Sequence, residues 1–573
     1  MRLKGVSTSP QIVIGKVLRY APFTCEVEIH EFEGHDTEVE VELYHKAKMK
    51  ALGELNELGE FLTENGSSNV DFVAAHKEIL NDPMMDMEIC ELIKKRSYCV
   101  DSAVAVVFDQ YRELFAKNKN PLIQEKTSDL QDVKMRLLRC YYGKPEKNLA
   151  HLTYPCIVVA EELFPSDTLC LDKDNIKGII TENGSLTSHT AIIARTVNIP
   201  ALLGVEGLMD IIEDGDRVIL DGTDQEVVIG ANETEIINYS EKAMRIKKDM
   251  EITTLYYGRK PVTLDETKIN LRINIASSEL SDTEKTDGLD GVGLFRSEFL
   301  YLSQKTLPTE EEQYQAYRQI SERFGEKPVV LRTLDIGGDK QVPYMELPKE
   351  ENPFLGNRGL RLCLSHEDIF CVQLRAALRA SAYGNLMIMF PMVTSINEFR
   401  RAKTIVQNVM KELEQEGIPY NKDIKIGIMI EVPSIALIAD QIIDEIDFAS
   451  VGTNDLCQYL CASDRMNKSV KEYYQDYHPA IFRVLKSLAD VFGPTGKCLS
   501  ICGELAGDVY AIPLLAGIGI RTLSMNNTSI AGAKRVICNM KIKDAEELAE
   551  EVLSLKTNYE IAEKLKKFHI MLK

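Results

Sequence analysis

Glu431 and Asp455 each follow a short apolar run, and four arginines, Arg296, Arg332, Arg358 and Arg465, lie at or beyond the ends of neighbouring runs. Two carboxylates with substrate oxygens are an ordinary way to hold Mg²⁺, which keeps part of its water shell. Guanidinium forks match phosphate and carboxylate oxygens bidentately. A cation beside several arginines implies a small substrate with several negative charges, without saying which. A second segment, Gly184-Ser185-Leu186-Thr187-Ser188-His189-Thr190-Ala191, puts His189 in a first helical turn, with Thr187 and Ser188 as candidate caps. Backbone N–H groups at such a place attract anions. The imidazole can accept a phosphoryl group there or merely cap the helix; the local residues do not choose.

These groups need a scaffold. Eight apolar runs, 269–275, 291–294, 328–334, 386–390, 424–430, 448–451, 498–501 and 521–524, are separated by helical stretches. Runs without strict alternation suit parallel strands buried on both faces, and eight of them fit a (β/α)₈ barrel. Arg296 follows the second run, Arg332 lies at the end of the third, Glu431 follows the fifth, Asn454-Asp455 the sixth and Cys502 the seventh. Barrel sites are built at that end of the strands. Singly, each group is a rim charge; five in register predict a site.

The first half has a different rhythm. Residues 1–20 read as short strands with turns, and from about Val39 the apolar residues Tyr44, Ala47, Ala51, Leu55, Leu58 and Leu62 recur at helical spacing. Further helices are expected at 70–80, 84–95, 101–117 and 128–142, with a break at Asn81-Asp82-Pro83. Strand character returns at 155–160, 176–180, 201–203 and 217–220, with a helix at 187–197. The expected plan is an α/β domain made of 1–20 and 145–230, interrupted by a helical bundle over 21–144. A long charged helix at 233–256 reads as an interdomain linker, within a boundary of 231–260, and 261–573 forms the barrel.

Composition removes whole classes. The chain has 573 residues, 45 % hydrophobic and 27 % charged, which is enough for several buried cores and excludes global disorder. Its formal charge of −21 makes it a poor partner for nucleic acid or anionic membranes. Thirteen scattered cysteines without a CxxC pair fit a reducing cytoplasm. No run is long enough to span a bilayer, and the first residues lead into no signal core. Gly493-Pro494-Thr495-Gly496-Lys497-Cys498 lacks the glycine spacing and hydroxyl of a nucleotide loop, and Gly517-Ile518-Gly519 lacks the third glycine of a dinucleotide turn.

Six segments together resemble the enzyme I family, the phosphoenolpyruvate–protein phosphotransferases of the bacterial sugar phosphotransferase system. They are Thr187-Ser188-His189-Thr190-Ala191-Ile192-Ile193-Ala194-Arg195, Asp335-Ile336-Gly337-Gly338-Asp339-Lys340, Asn352-Pro353-Phe354-Leu355-Gly356-Asn357-Arg358, Ile430-Glu431-Val432-Pro433-Ser434, Gly452-Thr453-Asn454-Asp455-Leu456 and Cys502-Gly503-Glu504-Leu505-Ala506-Gly507-Asp508. The resemblance runs in the expected order to about Ile530 and is specific as a set. It implies a phosphohistidine domain carrying His189, a helical insertion that docks the carrier protein HPr, and a barrel that binds phosphoenolpyruvate and Mg²⁺ and forms a homodimer. By the same carry-over Arg296 and Arg332 bind the phosphate, with Arg358 a further contact. Asn454 and Arg465 complete the pocket, Glu431 and Asp455 hold Mg²⁺, Cys502 protonates the product enolate, and Thr168 orients the histidine ring.

The sequence departs from the family at Ser185, where a second glycine is usual, at Asn357, a usual aromatic, at Gln11, and over Ala462-Ser463-Asp464-Arg465-Met466-Asn467. None of these removes a chemical group. Pyruvate, phosphate dikinases and phosphoenolpyruvate synthases share the histidine segment and barrel. They need a nucleotide-binding domain ahead of the histidine, and residues 1–188 offer no phosphate loop. Lack of a sensory N-terminal domain favours the sugar branch over the nitrogen-related one. A purely regulatory binding protein is disfavoured because every chemical group is retained.

Overall fold

The computed structural model describes residues 1–21, 23–32, 36–64, 70–116, 121–144, 149, 152–163, 167, 171–185, 188–197, 199–276, 288–302, 304, 306–337, 342–345, 347–348 and 350–572. Backbone packing divides the chain into two compact units, Met1–Met250 and Glu251–Lys573.

In the first unit, eight strands form one mixed sheet in the order β1-β8-β7-β3-β4-β5-β6-β2. They are β1 (Arg2–Lys4), β2 (Val6–Ser7), β3 (Ile12–Arg19), β4 (Cys156–Ala160), β5 (Ile176–Thr181), β6 (Ala201–Leu203), β7 (Arg217–Asp221) and β8 (Glu226–Ile229). The short β1 and β2 form the two edges, and β8 lies between β1 and β7. The central β4 is buried along its whole length, as its run Cys156-Ile157-Val158-Val159-Ala160 requires. Alternate side chains feed two cores: Val158 and Ala160 pack with Ala191 and Ala194 of the helix His189–Thr196, while Ile157 and Val159 pack with Leu208 and Ile212.

Between β3 and β4 the described residues form five helices, α1 (Thr37–Glu64), α2 (Val70–Leu80), α3 (Pro83–Arg96), α4 (Val100–Ala116) and α5 (Pro121–Tyr141). They enclose a core of their own that includes Leu55, Ile89, Val104, Phe108 and Leu137. The break before α3 has a local cause. Asp82 is the N-cap, its side chain accepting from Met84 N and Met85 N, and Pro83 begins the helix where its missing N–H costs nothing. The helices begin at Thr37, close to the expected Val39; residues 23–32 ahead of them hold no helix, and Glu31 bridges to Tyr98 ahead of α4.

In the second unit, β9 (Asn270–Ile275), β10 (Val292–Arg296), β11 (Val329–Arg332), β12 (Leu386–Phe390), β13 (Ile426–Ile430), β14 (Phe448–Val451), β15 (Cys498–Ile501) and β16 (Thr522–Met525) close into a barrel. Every neighbouring pair is parallel, including β16 with β9. Leu294, Val330, Met387, Met389, Met429 and Phe448 fill the interior, so the barrel is a packed core rather than a pore. The α/β fold with a helical insertion and a closed eight-stranded parallel barrel is therefore as expected from the sequence.

Candidate functional site

The C-terminal ends of the barrel strands carry a chain of alternating charge. Arg332, the last residue of β11, pairs through Nη2 with Glu298 Oε1 and through Nη1 with Asp335 Oδ2 at 3.0 Å. Asp335 Oδ2 also takes Arg358 Nη2 at 3.2 Å, and Arg358 Nη2 reaches Asp455 Oδ2 at 3.3 Å. Arg465 Nη2 closes the series 4.0 Å from Asp455 Oδ1. Burial opposes the charge on Arg332 and Arg358, but the facing carboxylates outweigh it and hold both guanidiniums protonated above their usual range. Gly337 permits the approach: its φ is 107°, and a Cβ there would meet Arg358 Cβ at 2.6 Å.

Arg296 ends β10 and lies in register with Arg332 on β11. Its confined position, then the charge of Arg332, push its guanidinium down from the usual value. Glu298 and Asp335 already face Arg332, and a phosphate bridging Arg296 and Arg332 would offset the repulsion that is left at Arg296.

Glu431 directly follows β13 and is buried. Its Oε1 accepts from Met392 N at 2.7 Å, and Met392 holds the left-handed conformation (φ 56°) that this requires of a non-glycine residue. A Cβ on Gly452 would lie 2.8 Å from Glu431 Oε2, so that glycine makes room for the carboxylate beside the helix Thr453–Cys461. Burial, then repulsion from Asp455 and Asp335, push the Glu431 carboxyl up to about 8, against the pull of Arg332 and Arg358. A buried carboxylate in this plight, with the hard oxygens of Asp455 nearby, suits a divalent cation: Glu431 and Asp455 are the donors that could hold one.

Asn454 opens toward the next loop, its Oδ1 accepting from Glu504 N at 2.9 Å and its Nδ2 donating to Glu504 Oε1 at 3.3 Å. Cys502 follows β15 and is buried among the barrel-interior side chains. Its Sγ donates to Val451 O at 3.5 Å, and its carbonyl accepts from Asn274 Nδ2 at 2.9 Å. Burial, then the charge of Glu431, push the thiol up to about 12, with Arg332 and Arg296 pulling the other way.

Eight expected groups, Arg296, Arg332, Arg358, Glu431, Asn454, Asp455, Arg465 and Cys502, thus share one rim. Asp335 bridges Arg332 and Arg358, and Glu298 pairs with Arg332; neither was singled out from the sequence. Both sit inside quoted segments or beside them, Glu298 two residues after Arg296, but nothing in their spacing says that they fold onto Arg332. His189 opens the helix His189–Thr196 in the other unit. Ser188 is its N-cap, accepting from Ala191 N, and its Oγ donates to Ser185 O at 2.8 Å. Ser185 therefore supports the cap and is not among the left-handed residues. Thr168, Thr187 and the stretch Gly338-Asp339-Lys340 lie outside the described residues.

Three family descriptions match the chain in order: "PEP-utilising enzyme, N-terminal" over residues 4–126, "PEP-utilising enzyme, mobile domain" over 152–225 and "PEP-utilising enzyme, PEP-binding domain" over 256–542. All three describe one class, the enzymes that use phosphoenolpyruvate. The phosphoenolpyruvate-protein phosphotransferase of Priestia megaterium is 39 % identical over 99 % of this chain and 99 % of its own. That of Bacillus subtilis (strain 168) is 39 % identical over 98 % of each, and that of Staphylococcus carnosus 37 % identical over 99 % of each. The chain belongs to the phosphoenolpyruvate-protein phosphotransferase family. Among the described residues no helix is long and apolar enough to cross a membrane.

Proposed function

We propose that this protein moves the phosphoryl group of phosphoenolpyruvate to His189 Nε2 and then to a histidine of HPr, releasing pyruvate. The observation that carries the reading is the alternating Glu298–Arg332–Asp335–Arg358–Asp455–Arg465 chain around the Arg296–Arg332 pair, beside a buried thiol, on the active rim of a barrel. Arg296, Arg332 and Arg358 bind the phosphate oxygens, and Asn454 and Arg465 hold the rest of the substrate. Glu431 and Asp455 would hold Mg²⁺, which when bound offsets charge on the transferring oxygens. The transfer breaks the bond between phosphorus and the enol oxygen while His189 Nε2 forms the new one, oriented by Thr168. Cys502 Sγ gives its proton to carbon 3 of the enolate, producing pyruvate. Positioning and electrostatics supply most of the acceleration.

The domain roles follow the same reading. Residues 1–20 with 145–230 carry the phosphohistidine, 21–144 dock HPr, 231–260 link, and 261–573 bind substrate and join two copies into a homodimer. One imidazole serving two partners requires its unit to reorient between them. A cytoplasmic location fits the substrate and the thirteen cysteines, none paired among the described residues. Incubation with phosphoenolpyruvate, Mg²⁺ and purified HPr should yield pyruvate and phospho-HPr in equal amounts. Pyruvate without phospho-HPr would overturn the carrier assignment, and no pyruvate at all would overturn the reaction.

A further inference from the structure

Among the described residues, one group of three His, Cys or carboxylate side chains brings its ligand atoms within 4.8 Å of one another: His30, Cys99 and Asp101. It belongs to the helical bundle, far in sequence from every group used above. The segment 23–32 meets the start of α4 here, with Phe32 N donating to Ser97 O at 2.9 Å and Cys99 N to His30 O at 3.2 Å. That short antiparallel pairing is what sets the His30 ring beside Cys99 and Asp101.

The surroundings of the three groups are those of a ligand set. His30 Nδ1 lies 2.8 Å from Glu28 O, so the carbonyl takes the Nδ1 proton and Nε2 keeps its lone pair. A metal-binding imidazole is normally fixed in this way, by a carbonyl or carboxylate on its other nitrogen. The free Nε2 faces Asp101 Oδ1 at 3.6 Å. Around a tetrahedral Zn²⁺ the nitrogen and oxygen or sulfur ligands stand roughly 3.3–3.6 Å apart, given bonds of about 2.0–2.3 Å. Asp101 is buried; Tyr142 OH donates to its Oδ2 at 2.6 Å and Ser102 N to its Oδ1 at 2.7 Å, and the two bonds fix the carboxylate with Oδ1 toward the imidazole. His30 is half exposed at the bundle surface, so the fourth position opens to solvent.

We propose that His30 Nε2, Cys99 Sγ and Asp101 Oδ1 bind a borderline-soft divalent cation of the Zn²⁺ class, with water as the fourth ligand. Binding displaces the thiol proton to solvent and changes no oxidation state. The ion pins segment 23–32 to α4, and so ties the entry of the bundle to its core.

Co²⁺ titration of the full, chelator-treated chain tests this, because a bound thiolate gives a near-ultraviolet charge-transfer band. One equivalent should produce the band, and Zn²⁺ should abolish it by competition. Cys99→Ser should remove the band, and His30→Gln, at an exposed position that leaves the bundle intact, should weaken binding at least tenfold. Tyr142→Phe should weaken it about 10- to 100-fold through the loss of the hydrogen bond on Asp101. Glu431→Gln should leave the band unchanged, since the barrel carboxylates lie in the other unit. No band at one equivalent, or a band that survives both Cys99→Ser and His30→Gln, would overturn the proposal.

Discussion

Glu431→Gln separates the electrostatic strain at the barrel rim from its packing. The amide has nearly the same shape and its oxygen can still accept from Met392 N, but it cannot ionise. In the native chain the carboxyl is pushed up to about 8 by burial and by Asp455 and Asp335, against an ordinary value of about 4.3. A carboxyl raised on folding contributes stability that is fully present below its unfolded value and is lost as pH rises through the folded one. For one proton the slope reaches about 1.4 kcal/mol per pH unit, so between about pH 4.3 and 8 the barrel forfeits up to roughly 3–5 kcal/mol. Calorimetry of the metal-free full chain from pH 5 to 8.5 should show the barrel transition falling with pH. Glu431→Gln should flatten that fall and be the more stable protein at the alkaline end. Mg²⁺ added at pH 7 should release close to one proton from the native chain and none from the variant, read from titration heats in buffers of different ionisation enthalpy. Parallel pH profiles, or equal proton release, would refute the argument.

His189→Ala should abolish labelling by radioactive phosphoenolpyruvate while leaving substrate affinity nearly intact, because the arginines and carboxylates lie in the other unit; retained acid-labile label would contradict it. Cys502→Ala should severely slow pyruvate formation yet let His189 accept phosphate from phospho-HPr, and in the native chain a thiol pushed up to about 12 should resist alkylation at pH 8. Glu298→Gln removes one of two carboxylates from buried Arg332 and should lower barrel stability by about 3 kcal/mol in denaturant titration. Gly503→Ala would drive its Cβ into Thr453 Oγ1, to 2.8 Å from Thr453 N and to 2.9 Å from Asn454 Oδ1, so KM for phosphoenolpyruvate should rise and the unfolding midpoint should fall.

The barrel was legible because a parallel strand covered on both faces must be a short apolar run. The runs 386–390, 448–451 and 498–501 coincide with β12, β14 and β15 to the residue. The same periodicity gave α2 its full extent, and Asp82-Pro83 announced the start of α3. A short inner strand was harder: β8, Glu226–Ile229, is four residues long and is stabilised by its neighbours β7 and β1. Residues 23–32 lie within the block assigned to the helical insertion, yet they hold no helix, and their partner is the turn before α4, distant in sequence.

For the site, residue types and strand ends alone placed Arg296, Arg332, Glu431, Asp455 and Cys502 on one rim. Barrel topology aligns the ends of all eight strands, so position along a run implies position in space. Which charge faces which was decided only in three dimensions. Glu298 and Asp335 become partners of Arg332 and Arg358 because loops after β10 and β11 fold across the rim. The value to which Glu431 is pushed depends on burial and on charges at the end of β11, in the connection after it and in the helix after β14, influences that fall off with distance through space and carry no mark along the chain. The His30, Cys99 and Asp101 cluster makes the same point. His30 lies some seventy residues before the other two, and it meets them through backbone hydrogen bonds and contacts to Ser102 that no local spacing encodes.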